Sequence, residues 1–208
     1  MGGRITALRV QRRNPDRVNV YLDGRFAFGL AAIEAARLRV GQVLSDEDIA
    51  RLRQRDTAER AAGRALDLLS YRPRSEAEIR ERLTERYDPE TVAEVLERLR
   101  RSGLVDDREF ARYWVQNRRQ HNPRGAIALR QELYQKGVDE SAIEEALAEY
   151  DEEEAAARAA ETARRKLRGL PPDLFRRRLT DYLLRRGFSY GVVRAVVLQA
   201  LADAPSEE

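Results

Sequence analysis

The chain has 208 residues with 39 Lys+Arg against 36 Asp+Glu, a net charge of only +3, which reads as a mixed-charge solvated surface and not a polybasic tail. Cysteine is absent and His121 is the single histidine. The absence of cysteine excludes disulfides, thiolate zinc sites, cysteine iron–sulfur ligation and a cysteine nucleophile, and the lone histidine leaves little basis for His-rich metal sites or an ordinary Ser-His-Asp triad. No apolar run reaches the ~18 residues of a membrane span, and the opening MGGRITALRV lacks the apolar stretch of a signal peptide, so a cytoplasmic location without membrane contact is expected.

Residues 1–55 are written with period 2. Ile5, Ala7, Leu8 and Val10 make a weak strand, and Val18, Val20 and Leu22 alternate with Arg17, Asn19, Tyr21 and Asp23. Asp23-Gly24 then precedes Phe26, Phe28 and Leu30. An Asp-Gly pair between alternating runs predicts a tight hairpin, because both central turn residues need φ > 0. A small three-stranded sheet over about 4–30 is the expectation, and Ala31–Leu38 is the nearest helix able to cover its apolar face.

From Ser45 onward the period is helical. Ser45-Asp46-Glu47-Asp48 is a capping-box start, followed at helical spacing by Ile49, Leu52, Ala62, Leu66 and Leu69, with Pro73 as the stop. Further starts are Ser75-x-x-Glu78, Asp88-Pro89, Asp107 and Ser141-x-x-Glu144; further stops are Gly103, Gly137, Gly169 and Gly187. These helices repeat every 50 residues. Ile79 and Leu83 recur as Leu129 and Leu133, then as Leu179 and Leu183. The terminator runs Tyr87, Gly137, Gly187, and Pro73-Arg74-Ser75 recurs as Pro123-Arg124-Gly125. The pattern predicts a mainly α protein. A β-hairpin-based, three-stranded module at 1–55 precedes three three-helix repeats at 56–105, 106–150 and 151–202, with a disordered tail at 203–208. Each repeat is large enough for its own core, or could stack on its neighbours as a solenoid unit.

No catalytic constellation is visible. Asp106-Asp107 and Glu152-Glu153-Glu154 stand at helix starts, where the macrodipole favours acids. His121 is expected in a turn without partner ligands, and neither phosphate-loop glycine pattern is present. An enzyme is not expected, nor a cofactor or metal. The remaining candidates are arginines. Residues 112–136 carry net +5, with Arg112, Arg118, Arg119, Arg124 and Arg130 among them; residues 161–187 carry net +6, including Arg176, Arg177, Arg178, Arg185 and Arg186. Two readings stand: a solvated helix face with basic residues satisfying helix C-termini, or contact with an anionic partner. Tyr113 and Trp114 beside Arg112 suggest a stacking platform, but Trp114 four residues after Phe110 fits core packing.

The strings RPRSEAEIRERL (72–83), VLERLRRSGLVDDREFARYWVQNR (95–118) and RGAIALRQELYQKGVDESAIEEAL (124–147) resemble the RecX family, regulators of the bacterial recombinase RecA. The matching positions are Arg74, Ser75, Glu78, Ile79, Leu83, Gly103, Leu104, Asp106, Asp107, Phe110, Ala111 and Arg118, then Gly125, Leu129, Glu132, Leu133, Lys136 and Gly137. Most of these are caps, turns and core. The third repeat departs from the pattern, with Leu170-Pro171-Pro172 at its turn and no E-L-x-x-K-G string. The resemblance implies three tandem three-helix repeats in an elongated, curved array. It also implies a non-enzymatic regulator that binds RecA and its single-stranded-DNA filament, inhibits recombinase, ATPase and coprotease activities, and favours filament disassembly. Direct DNA binding would be weak and a monomer is expected. The alternatives are a helical module acting directly on nucleic acid and a scaffold for some other protein.

Overall fold

The computed structural model describes residues 2–202; the tail expected at 203–208 lies outside the described residues. Four strands come first: β1 (Gly3–Gln11), β2 (Asn14–Leu22), β3 (Arg25–Ala31) and, after the short helix α1 (Ala32–Ala35), β4 (Val43–Leu44). They form one antiparallel sheet in the order β3-β2-β1-β4. The hairpin at Asp23-Gly24 has the expected geometry, both residues at positive φ (48° and 82°), with Leu22 opposite Arg25. The expected three strands gain a fourth: Val43-Leu44 pairs with Arg4 and Gly3 at the start of β1, a two-residue pairing too short to show as alternation. The expected helix at 31–38 shrinks to a single turn.

The apolar face of the sheet (Ile5, Val18, Val20, Leu22, Phe28, Leu30) is covered by Ala35 and by Ile49 and Leu52 of α2 (Asp46–Tyr71). Ser45 and Asp48 form the full capping box that starts α2, and the helix then runs 26 residues unbroken through position 55. Its buried stripe beyond the sheet is Ala58, Ala61, Ala62 and Ala65. Leu66, expected inside, is 44% exposed, because the small-residue stripe lets α4 approach on the neighbouring face. Asp56 fixes sheet to helix. Its carboxylate takes both guanidinium nitrogens of Arg17 at 3.0 Å and the N–H of Ala31 at 2.8 Å. Buried Glu34 of α1 lies 3.3 Å from Arg37 and 3.6 Å from Arg55, so its charge is compensated as burial requires.

Eight further helices follow α2: α3 (Glu76–Thr84), α4 (Pro89–Arg101), α5 (Asp107–His121), α6 (Ala126–Gln135), α7 (Glu140–Ala148), α8 (Glu152–Leu167), α9 (Pro172–Arg185) and α10 (Tyr190–Ala202). The 50-residue echo is exact in burial. Ile79, Leu83, Leu129, Leu133, Leu179 and Leu183 are all fully buried. Two start signals move slightly. Asp106 rather than Asp107 caps α5, accepting from the N–H groups of Arg108 and Glu109. Asp139, not Ser141, caps α7, accepting from the N–H of Ala142. His121 closes α5 as an exposed helical residue instead of sitting in the turn.

The chain divides into two compact units, one of Met1–Arg74 with Ile79–Leu104, the other of Ser75–Glu78 with Val105–Glu208. In the first, α4 packs on α2 and Arg98 pairs with Glu59. The second holds two cores. Phe110, Ala111, Val115, Leu129, Leu133, Val138 and Ile143 form one; Ala155, Ala159, Ala163, Leu179, Leu183, Phe188 and Val193 are the centre of the other. Tyr150 packs against both.

A recurring joint orders the second unit. Ser75 and Glu78 cap the start of α3 reciprocally, and the Ser75 hydroxyl donates to the Lys136 carbonyl at the end of α6 (2.6 Å). Gly137, at φ 74°, leaves no room for a side chain: a Cβ there would lie 2.4 Å from that of Ala77. Fifty residues later the Gly125 N–H donates to the Arg186 carbonyl at 2.9 Å, and Gly187 (φ 77°) closes on Ala128 in the same way. Gly125 itself is required, since a Cβ would collide with the Gly187 backbone at 2.0 Å. An acid from the next long helix completes each joint. Asp107 accepts from the Glu76 N–H (2.8 Å), and Glu152 accepts from the N–H groups of Ala126 (2.9 Å) and Ser189 (3.1 Å) and from the Ser189 hydroxyl (3.0 Å).

Glu152→Ala leaves the first turns of α6 and α10 without their acceptor, and the expected loss is about 2–4 kcal/mol in urea unfolding. The pH response follows from the caps and from Tyr150. Hydrogen bonds from Ser45 and from Thr91 hold the carboxyls of Asp48 and Asp88 below the ordinary 3.8, and those from Ser141 and Ala142 do the same for Asp139. Their stabilisation is complete above the unfolded value and disappears as pH falls through the lower folded values. Burial, aided by the Glu152 charge, pushes the Tyr150 hydroxyl up to about 12 from 10.0. The unfolded chain therefore ionises this group first, and stability falls between pH 10.0 and about 12. Melting temperatures of wild type and Tyr150→Phe across that window check the sign, since the phenylalanine variant loses this part of the decline.

Candidate functional site

The ten arginines singled out by charge do not form one surface. On α5, Arg112 faces Glu109 (3.2 Å) and Glu145 of α7 (3.5 Å), while Arg119 pairs with Glu154 of α8. Arg118 lies against Glu132 of α6 at 2.7 Å and stacks over the Trp114 ring at 4.5 Å. The Trp114 indole N–H donates to the same Glu132 carboxylate (2.8 Å), and Lys136 Nζ sits 4.2 Å from the ring centre while donating to Glu78 (2.9 Å). Trp114 is thus a packed, partnered side chain, and the stacking-platform reading does not hold for it. Arg124 in the turn lies 3.7 Å from Glu132, and Arg130 of α6 pairs with Glu140 (3.6 Å) and Glu144 of α7. Every arginine of this middle cluster has a carboxylate partner. Those partners come from four helices, up to 35 residues away, so a local charge count could not find them.

The last cluster divides. Arg186 is structural: its guanidinium donates to Asn122 Oδ1 and the Pro123 carbonyl, both at 2.8 Å, and lies over the Tyr182 ring at 4.8 Å. Arg176 pairs with Asp173 one turn earlier (3.1 Å). Arg177, Arg178 and Arg185 are exposed on α9 and, among the described residues, have no ion pair. Leu174 and Leu184, 39% and 42% exposed, stand on the same helix. A helix with three unpaired guanidinium groups beside exposed leucines can bind an acidic, partly apolar surface. Among the described residues no group of three or more carboxylates or imidazoles is placed to hold a metal ion, and no helix is long and apolar enough to cross a membrane.

This architecture defines a class: a small β module followed by tandem three-helix domains joined through glycine-terminated helices. Matches to known proteins cover each part. Residues 3–45 match the regulatory protein RecX N-terminal domain, 61–99 the first RecX three-helix domain, 106–147 the second and 151–197 the third. The chain is 34% identical over 207 residues to regulatory protein RecX of Oceanobacillus iheyensis and 33% identical over 201 residues to that of Bacillus subtilis. Each match covers 94% of this chain and 76% of the relative. A crystal structure of regulatory protein RecX superposes with a TM-score of 0.76 at 32% identity, covering 93% of this chain and 98% of that one. RecX from Lactobacillus salivarius gives a TM-score of 0.62 at 23% identity and supports the fold alone. The chain belongs to the RecX family of regulatory proteins.

The two kinds of arginine separate by experiment. Arg177→Gln/Arg178→Gln/Arg185→Gln is expected to melt within about 0.5 kcal/mol of wild type, as unpaired surface charges do. Arg186→Ala, which removes two charged hydrogen bonds, is expected to cost about 2–3 kcal/mol. Equilibrium unfolding of the two variants provides the check.

Proposed function

We propose that this protein binds RecA and the RecA–single-stranded-DNA filament, inhibits its recombinase, ATPase and coprotease activities without chemistry of its own, and favours filament disassembly. It acts in the cytoplasm as a monomer, with at most weak direct binding to bare DNA. Family membership across all four matched modules carries this reading. Arg177, Arg178 and Arg185 support it, since a nucleoprotein filament is an anionic surface and these guanidinium groups have no ion pair among the described residues. The paired arginines of the middle cluster are the less favoured contacts, because recruiting them breaks an existing ion pair. Ten sites of positive charge therefore reduce to three preferred ones.

Titration into a RecA–single-stranded-DNA ATPase reaction is the test. Substoichiometric loss of hydrolysis is expected. Charge reversal at Arg177, Arg178 and Arg185 raises the required concentration about tenfold, the sum of three exposed contacts of about 0–1 kcal/mol each. No inhibition of RecA, together with tight binding to naked DNA and a steep log–log salt slope, favours the alternative of a helical module acting directly on nucleic acid.

A further inference from the structure

The β module offers its own candidate surface, on the side of the sheet turned away from α2. Cross-strand pairing places Tyr21 of β2 opposite Phe26 of β3, and Arg9 of β1 opposite Asn19, which in turn faces Gly29. Arg9 lies 5.0 Å from the centre of the Tyr21 ring, and the Tyr21 and Phe26 rings meet edge to face at 6.0 Å. Phe26, on the edge strand β3, is 60% exposed. Next to the aromatic row, Gln11 donates to Asn19 Oδ1 at 2.7 Å, leaving further amide groups to offer hydrogen bonds outward. Gly29 contributes no side chain, and the polar ends of Gln11, Arg17 and Asn19 fill the space beside it, 3.1, 3.4 and 3.7 Å from where its Cβ would stand. Register shifts flank Tyr21 on both sides, at Thr6 of β1 and at Ala27 of β3, and bulges of this kind twist a sheet and re-aim its side chains.

Charge completes the picture. Arg9, Arg12, Arg13 and Arg25 are exposed and, among the described residues, have no ion pair, while residues 1–55 as a whole carry net +5. This is the opposite of the α5–α7 region, where each arginine has its acid. An aromatic pair, amide groups and the unpaired Arg9 on one open sheet face, with Arg12 and Arg13 in the turn that follows β1, match a polymer with flat π faces, hydrogen-bonding edges and a negative backbone. A duplex hides its base faces, so the complement is a single strand.

We propose that the outer face of the β module binds single-stranded DNA, with Phe26 and Tyr21 stacking on bases and Arg9 holding a phosphate. The choice of DNA over RNA rests on the filament reading above; the stacking site itself does not, and its test contains no RecA. Full-length protein is titrated against a fluorescein-labelled oligo(dT) of about 20 nucleotides by anisotropy, at several salt concentrations. Phe26→Ala is expected to weaken binding about tenfold, the usual effect of losing one stacked base. Phe26→Trp retains affinity. Arg9→Gln lowers the log–log salt slope by about 0.7. Both sites are surface positions, and circular dichroism melts confirm folding. Four results overturn the proposal: equal affinity of Phe26→Ala and wild type, equal binding of a duplex of the same length, preference for oligo(U), or complete loss of oligo(dT) binding on neutralising Arg177, Arg178 and Arg185 while Phe26→Ala changes nothing. A protein that binds oligo(dT) through Phe26 yet leaves RecA hydrolysis untouched keeps this site and refutes the filament reading instead.

Discussion

The helical part of this protein depends on one close backbone approach, made twice. A helix ends in a left-handed glycine, and that glycine sits on the first turn of a helix about sixty residues earlier in the chain. Gly137 closes on Ala77, and Gly187 on Ala128. Both partners must be small, because a Cβ on either glycine would reach 2.4 Å from the alanine methyl. Backbone carbonyls at helix ends and N–H groups at helix starts are the groups a helix cannot satisfy internally. At the second joint the Gly125 N–H meets the Arg186 carbonyl directly, at the first the Ser75 hydroxyl serves the Lys136 carbonyl, and the acids Asp107 and Glu152 take the N–H groups of Glu76 and Ala126. The acidic residues at helix starts thus cap a neighbouring helix as well as favouring their own macrodipole.

This joint explains which parts of the fold were legible in the sequence. The 50-residue echo of leucines and glycines could be read directly, because each copy must solve the same packing problem with the same residue sizes. The capping boxes at Ser45 and Ser75 were legible for a similar reason: the hydrogen bonds close within three residues. The fourth strand was not, since two residues carry no period. The exposure of Leu66 was not legible either. The alanine stripe of α2 selects the buried face through how near α4 can come, and hydropathy ranks leucine above alanine.

The candidate site was less legible than the fold, for an electrostatic reason. Two arginine-rich stretches of similar net charge look alike in sequence, yet one is internally neutralised. Arg118 meets Glu132 and Arg119 meets Glu154 only because α6 and α8 fold against α5. Among the described residues Arg177, Arg178 and Arg185 meet no such acid. Net charge over a window therefore measures potential for binding only after the long-range partners are subtracted. The aromatic row of the β module was missed for the opposite reason. Tyr21 and Phe26 are five residues apart in sequence and read as ordinary members of alternating strands; the hairpin register alone sets them side by side.

Helix α2 has the remaining structural role, because it serves two packing partners along one axis. Its first turns cover the sheet with Ile49 and Leu52, and its later turns offer the alanine stripe to α4. Asp56 stands where one role passes to the other, receiving Arg17 from β2 and the N–H of Ala31 from the end of β3. A carboxylate so nearly buried is costly unless all its acceptor capacity is used, and here three donors converge on it. The same pairing engages the Arg17 guanidinium, while Arg9 stands over the Tyr21 ring with no ion pair among the described residues.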